Sequence, residues 1–131
     1  MSVEPPRDAS KVLVVDDQEE ILDLTATVLV SAGYEVVTVN SGSKALDLLG
    51  EERFDLTLLD IDMPGMNGWQ TLRAIRSDDA LETLPVVMFS VNNRIEDKVE
   101  GLKEGALDYL CKPFAVDELL DRVQRAIGPR P

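Results

Sequence analysis

The sequence predicts an α/β domain, an open doubly wound sheet of five parallel strands with helices on both faces. Three observations carry that expectation. Five short apolar runs alternate with longer stretches in which apolar residues recur every three or four positions. Runs such as 12–15 and 86–89 are apolar throughout, the pattern of strands that helices cover on both sides. Five polar residues, Asp16, Asp17, Asp60, Ser90 and Lys112, stand at or just after the C-terminal ends of those runs. That edge is where open sheets of this kind bind ligands.

Taken in order, the first run (residues 12–15) leads through Asp16-Asp17 into a helical segment whose stripe is Ile21, Val28 and Ala32, stopped by Gly33. The second (35–39) precedes Ser41 and Ser43, either of which can cap a helix carrying Ala45, Leu46 and Leu49. The third (56–59) ends on Asp60 and opens into a loop rich in Pro, Gly and Asn, followed by a helix with Leu72 and Ile75. The fourth (86–89) ends at Ser90, and Ile95, Val99, Leu102 and Ala106 mark the next helical stripe. The fifth (107–110) is short, and the closing helix has the clearest stripe, Val116, Leu119, Leu120, Val123 and Ile127. Crossovers between parallel strands are expected to be right-handed. Residues 11–127 thus form one domain, with 1–10 as a flexible lead and 128–131 as a tail or the start of a linker.

Composition narrows the function. A chain of 131 residues, 44% hydrophobic and 29% charged, can bury a core and is not of disordered type. A formal net charge of -12 disfavours nucleic acid and anionic membrane as direct partners, and favours divalent cations and basic protein surfaces. No apolar stretch approaches the length of a membrane span. The polar first ten residues, with Pro5-Pro6, do not form a signal peptide. Cys111 is the only cysteine, so no intrachain disulfide can form, and the expected location is the cytoplasm. There is no histidine. That excludes histidine acid–base chemistry and histidine metal sites, and any phosphohistidine involved must belong to a partner.

If the runs ending at Asp16 and Asp60 are neighbouring strands, three carboxylates converge. Two carboxylates ~4 Å apart repel by roughly 4 kcal/mol at an effective dielectric near 20. Such a group calls for a cation, and hard oxygen donors suit Mg²⁺. The chemistry this suggests is phosphoryl transfer. Simpler roles are available: Asp60 can cap the following helix, and Asp16 or Asp17 can cap the segment that begins at Gln18. One carboxylate of the pair can cap while the other faces the ion.

Four motifs make a specific resemblance. They are Val14-Val15-Asp16-Asp17, Leu58-Leu59-Asp60-Ile61-Asp62-Met63-Pro64-Gly65-Met66-Asn67-Gly68, Val87-Met88-Phe89-Ser90 and Tyr109-Leu110-Cys111-Lys112-Pro113-Phe114. In this order and spacing the chain resembles a response-regulator receiver domain, the phosphoacceptor half of two-component signalling, from about Lys11 to Ile127. The resemblance implies a flavodoxin-like sheet of order 2-1-3-4-5. It implies Asp60 as the phosphoacceptor nucleophile. Mg²⁺ would be held by Asp16, Asp17, Asp60 and the backbone carbonyl of Asp62. Lys112, before a proline whose peptide bond is typically cis in the family, would reach the phosphoryl oxygens. Ser90 would bond a phosphoryl oxygen and Tyr109 would turn inward as the switch aromatic, its simpler role being that of a half-buried strand tyrosine.

The implied partners are a histidine kinase or phosphotransfer protein as donor, and a downstream protein or covalent output domain as target. The readout face, which can also support a homodimer, would be the helix near residues 95–104, the strand 107–110 and the helix 116–127. Val91 stands where the family usually has a small residue, and Asp62 and Asn92 occupy positions that tune phosphate loss. Trp69, Met63 and Met66 are read as packing or loop residues.

Two other readings remain. Asp60-Ile61-Asp62 matches the nucleophile motif of haloacid-dehalogenase-like phosphohydrolases, with Ser90 and Lys112 paralleling later motifs. That family, however, places the motif after its first strand, and here it follows the third. Pro64 stands where Thr or Val is expected, and no late acidic metal-binding pair is evident. The other reading is a receiver-shaped interaction module that works without phosphorylation. Such modules usually lack an acidic residue or the lysine, and this chain keeps them all.

Overall fold

Five strands and five helices alternate along the chain in a computed structural model that describes residues 9–91 and 94–128. They are β1 (Lys11–Val15), α1 (Glu19–Ser31), β2 (Glu35–Val39), α2 (Gly42–Leu49), β3 (Leu56–Asp60), α3 (Gly68–Ser77), β4 (Val86–Ser90), α4 (Ile95–Lys103), β5 (Asp108–Cys111) and α5 (Val116–Ile127). The strands form one parallel sheet in the order β2-β1-β3-β4-β5, as expected. A short 3-10 turn, Asp79–Leu81, precedes β4. Nothing in the apolar periodicity foretold it.

Side chains of a strand alternate between faces, and the sheet has two cores to match. Leu13, Val15, Leu59, Val86 and Met88 pack on one side with Ala45 and Leu49 of α2 and Leu72 and Ile75 of α3. Val12, Val14, Leu58, Val87 and Phe89 pack on the other with Leu22 and Leu29 of α1 and Leu119 and Val123 of α5. β3 and β4 are buried along their whole length. With both faces covered, these strands lack the polar alternation of a half-exposed strand, and Thr57 is the one polar residue within their apolar runs.

Several local features follow the sequence closely. Ser41 caps α2, accepting the Lys44 N–H at 3.2 Å. Gly33 ends α1 with φ +98°, a conformation that favours glycine. Asn67 and Gln70 form a reciprocal capping box at the start of α3, at 3.0 and 2.9 Å.

Other features shift. The buried stripe of α1 is Leu22, Thr25 and Leu29, while Ile21 and Val28 flank it and Ala32 is exposed beyond the helix end. Apolar residues surround α1 almost completely, so periodicity could not pick the face, and docking on the sheet did. β5 lies one residue later than expected, leaving Leu107 outside the strand and exposed, with its N–H on the Val86 carbonyl. Val116 is exposed at the first turn of α5. In α4 the expected stripe is on the outside: Ile95, Val99 and Leu102 are exposed and only Gly101 is buried. Ala106 is buried, but past the helix end.

The Ser10 carbonyl accepts the Glu35 N–H, so the last residue of the expected lead is tied to β2. Residues 1–8 of that lead and 129–131 of the tail lie outside the described residues. Among the described residues, no helix is long and apolar enough to cross a membrane.

Candidate functional site

β1 and β3 are direct neighbours with Val15 opposite Leu59, so the residues that end them meet at one edge. Carboxylate oxygens of Asp16, Asp17 and Asp60 all lie within 4.8 Å of one another. Asp16 is fully buried and Asp60 is 3% exposed, while Asp17 faces solvent. Asp16 does two things at once. Its Oδ1 accepts the Gln18 N–H at 2.9 Å, ahead of α1, and its Oδ2 accepts from Lys112 Nζ at 2.6 Å. The same Nζ donates to Asp60 Oδ1 at 3.1 Å. Asp16 thus uses one oxygen on the backbone just ahead of α1 and the other on the Lys112 ammonium; the expected capping of the helix is not seen, since its N-cap, Gln18, has no side-chain cap hydrogen bond.

Lys112 arrives from the far edge of the sheet. Its N–H donates to the Ser90 carbonyl at 2.7 Å, immediately past β5, and the Lys112–Pro113 bond is cis. Its ammonium is almost enclosed. Burial by itself would lower the pKa of Lys112, but the hydrogen bond to Asp16 and the charge of Asp60 outweigh it and hold the ammonium above its ordinary value. Asp60 moves the other way for a carboxylate. Burial first, and the charge of Asp16 second, raise it to about 6 against the pull of Lys112. One lysine does not neutralise three clustered acids.

The site opens to a cavity of about 220 Å³ lined by Asp17, Gln18, Asp60, Asp62, Val91 and Lys112. Val91, 71% exposed, is among the residues that line it. A larger cavity, about 410 Å³, lies at the opposite edge among the loops that lead into β3 and β4, and none of the site residues line it. Chemistry, and not size, identifies the smaller one.

Ser90 and Tyr109 complete the surroundings. Both are buried, at 1% and 7% exposure, and the two side chains hydrogen-bond each other. Burial pushes the Tyr109 phenol up, with the Ser90 bond opposing. Tyr109 is therefore more deeply buried than the half-buried position kept open for it. Met63 packs in the core and Trp69 against it, as expected. Asn92 lies outside the described residues.

The receiver-domain model for response regulators matches residues 12–124. This chain belongs to the response-regulator receiver family. Its receiver fold superposes on the chemotaxis protein CheY4 of Vibrio cholerae with a TM-score of 0.86 at 36% identity, covering 90% of this chain and 98% of that one. The receiver domain of NtrX from Brucella abortus gives 0.82 at 36% identity over 88% of this chain and 97% of that one. In sequence, the receiver is 40% identical to the response regulator protein FleR of Pseudomonas aeruginosa over 94% of its length, and 38% identical to the transcriptional regulatory protein YkoG of Bacillus subtilis over 88%. It spans only 26% of FleR and 50% of YkoG. The phosphohydrolase alternative has no support in these likenesses.

Sequence reasoning placed Asp16, Asp17, Asp60, Ser90 and Lys112 at this edge but gave no role to two others. Gln18 supplies the N–H that orients Asp16. Gly68 donates to the Ile61 carbonyl at 2.8 Å and packs so closely that a Cβ there would lie 2.4 Å from the Asp60 carbonyl oxygen. The glycine directly after the Asn67 cap was the available signal.

Proposed function

We propose that this receiver domain accepts a phosphoryl group on Asp60 from a phosphohistidine of a histidine kinase or phosphotransfer protein. The observation that carries the proposal is the Asp60 carboxylate, held between two further carboxylates and the Lys112 ammonium at the mouth of an open cavity. An Asp60 oxygen forms the new bond to phosphorus as the phosphorus–nitrogen bond breaks, and the electron pair leaves with the partner's imidazole. Lys112 balances charge on the phosphoryl oxygens, and the Ser90 hydroxyl bonds one of them. Hydrolysis later forms a phosphorus–oxygen bond from water and returns the Asp60 carboxylate with inorganic phosphate. The domain acts as a signalling phosphoacceptor, not as a turnover enzyme.

The donor set fits Mg²⁺: all-oxygen, clustered, and carrying more negative charge than Lys112 can offset. Asp16, Asp17, Asp60 and the backbone carbonyl of Asp62 would hold it. Bound there, it supplies charge neutralisation for the carboxylates and the incoming phosphoryl group.

The added group, about -1.5 to -2 charges with three acceptor oxygens, competes for the Ser90 hydroxyl that now bonds Tyr109. That competition supports Ser90 and Tyr109 as the switch. The readout face is α4, β5 and α5, where Ile95, Val99, Leu102, Leu107 and Val116 are exposed. It would serve a downstream protein, an output domain in the same protein or a second copy, in the cytoplasm and without direct nucleic-acid contact by this domain.

The test is intact mass after treatment with acetyl phosphate and Mg²⁺, the parent beside Asp60→Asn. The expected result is one added phosphoryl group in the parent alone. No gain in the parent would leave a receiver-shaped interaction module that works without phosphorylation.

A further inference from the structure

α4 contributes almost nothing of its own to the core. A surface helix is normally held by a buried apolar stripe, yet of Ile95–Lys103 only Gly101 is buried, and the apolar side chains face outward. Its place must be set by neighbours. α3 supplies three of them from a single face: Trp69, Arg73 and Arg76, spaced by four and three, stack along one side of that helix.

Each of the three meets the C-terminal half of α4 or the turn that follows. The rim of the Trp69 indole lies against Gly101, where a Cβ would be 3.2 Å from Cη2 and 3.4 Å from Cζ3. Arg73 Nε donates to Glu104 Oε2 at 3.0 Å. Arg76 Nε donates to the Gly105 carbonyl at 2.9 Å, and its Nη1 donates to the Leu81 carbonyl at 3.1 Å. Gly105 itself has φ +104°, and a Cβ there would meet the Arg76 side chain at 2.9 Å. So α4 is pinned at its C-terminal end and seated at one glycine.

α3 is in turn fixed to the site. Gly68, the residue before Trp69, is in van der Waals contact with the backbone of Asp60 and Ile61, with no room for a methyl group. Close-packed contacts of this kind transmit displacement and do not absorb it. Tyr109 reaches the same seat, its Cδ2 being 3.8 Å from the Gly101 Cβ position. Two aromatic rings therefore converge on Gly101: Trp69, whose neighbour Gly68 abuts the Asp60 backbone, and Tyr109 of β5.

We propose that the Trp69–Arg73–Arg76 face of α3 is the cradle that sets the position of α4, and that it carries changes at Asp60 to α4 in parallel with Ser90 and Tyr109. The first half stands on geometry alone. The second half rests on the phosphoacceptor reading of Asp60. Trp69 is then a positioning residue, acting through α4 and touching no reactant.

Spatial adjacency needs a coupling measurement. Amide hydrogen exchange would be followed in the parent, Trp69→Ala, Trp69→Phe and Arg76→Gln, in Mg²⁺ with and without beryllofluoride as a phosphoryl mimic. Without the mimic, Trp69→Ala and Arg76→Gln should speed exchange in residues 95–103 by roughly tenfold, with Trp69→Phe between them and the parent, and with β1 and β3 within about twofold. Unchanged exchange in 95–103, or helix and strands accelerating together, would overturn the cradle. With the mimic, all variants should gain protection around residues 60–68, but Trp69→Ala should lose the response of 95–103 that the parent shows. A full response of 95–103 in Trp69→Ala would overturn the coupling alone. A parent that ignores beryllofluoride everywhere would sink the phosphoacceptor reading and the coupling with it, while exchange without the mimic still decides the cradle.

Discussion

Asp60 is the residue at which charge and burial conflict. Burial and the neighbouring Asp16 raise its carboxyl to about 6, above the value of about 3.9 it has in an unfolded chain. A raised carboxyl stabilises the folded state fully below the unfolded value and loses that contribution as the pH climbs through the folded one. Without metal, the fold should therefore weaken between about pH 4 and pH 7, by up to about 3 kcal/mol from this group. Asp60→Asn removes the charge and keeps the shape, although Lys112 then faces a weaker acceptor. In urea unfolding with a chelator, the variant should exceed the parent by about 1–3 kcal/mol near pH 8 and by little near pH 4. A parent equally stable across that range would contradict the strained-carboxylate account. Asp16, Asp17, Asp60 and Lys112 were all legible in the sequence, because acids and a lysine at strand ends are conspicuous. The sharing of Asp16 between the Gln18 N–H and Lys112 was not, since it depends on which oxygen faces which neighbour.

Among the elements, α3 was read correctly as a helix and under-read as a part. Leu72 and Ile75 mark its buried side, and that was visible in the spacing. Its opposite duties, abutting Asp60 at Gly68 and holding α4 through Trp69, Arg73 and Arg76, involve partners distant in sequence. Glycines make the contrast testable. A Cβ at Gly68 would lie 2.4 Å from the Asp60 carbonyl oxygen and 2.6 Å from Ile61 Cα, both backbone atoms that cannot swing away. Gly68→Ala should destabilise by about 1–3 kcal/mol. At Gly50, in ordinary helical conformation with its nearest neighbour at 3.4 Å, the same change should be neutral or stabilise by about 0.4–1 kcal/mol. Equal effects at the two sites, measured by urea unfolding, would remove the close approach of α3 to β3 from the argument. The stripe of α4 misled for a related reason. Helical periodicity finds a helix, but it does not say whether the apolar side meets the core or a partner.

For the molecule as a whole, the sheet order decides everything about the site. Placing β1 beside β3 puts two acid-bearing ends together, and placing β5 beyond β4 sends Lys112 back over them. The result is an acidic cluster that Lys112 alone does not neutralise. Mg²⁺ at about a hundredfold its dissociation constant should add about 2.7 kcal/mol of stability near pH 8, and less near pH 5, where Asp60 takes up a proton. Thermal unfolding with and without Mg²⁺ measures this. No shift in midpoint at either pH would reject the metal site while leaving the fold untouched.

The sequence by itself determined the five strands, the helices between them, the acids and lysine at the strand ends, and the family they spell. Each of these is a local matter of periodicity, caps and motif spacing. Tertiary structure alone decided which face of α1 is buried, that the apolar stripe of α4 faces outward, that Tyr109 is buried against Ser90, and that α3 cradles α4. Those outcomes depend on what stands opposite a side chain once the sheet is assembled, and one-dimensional periodicity contains no information about the neighbour across a gap.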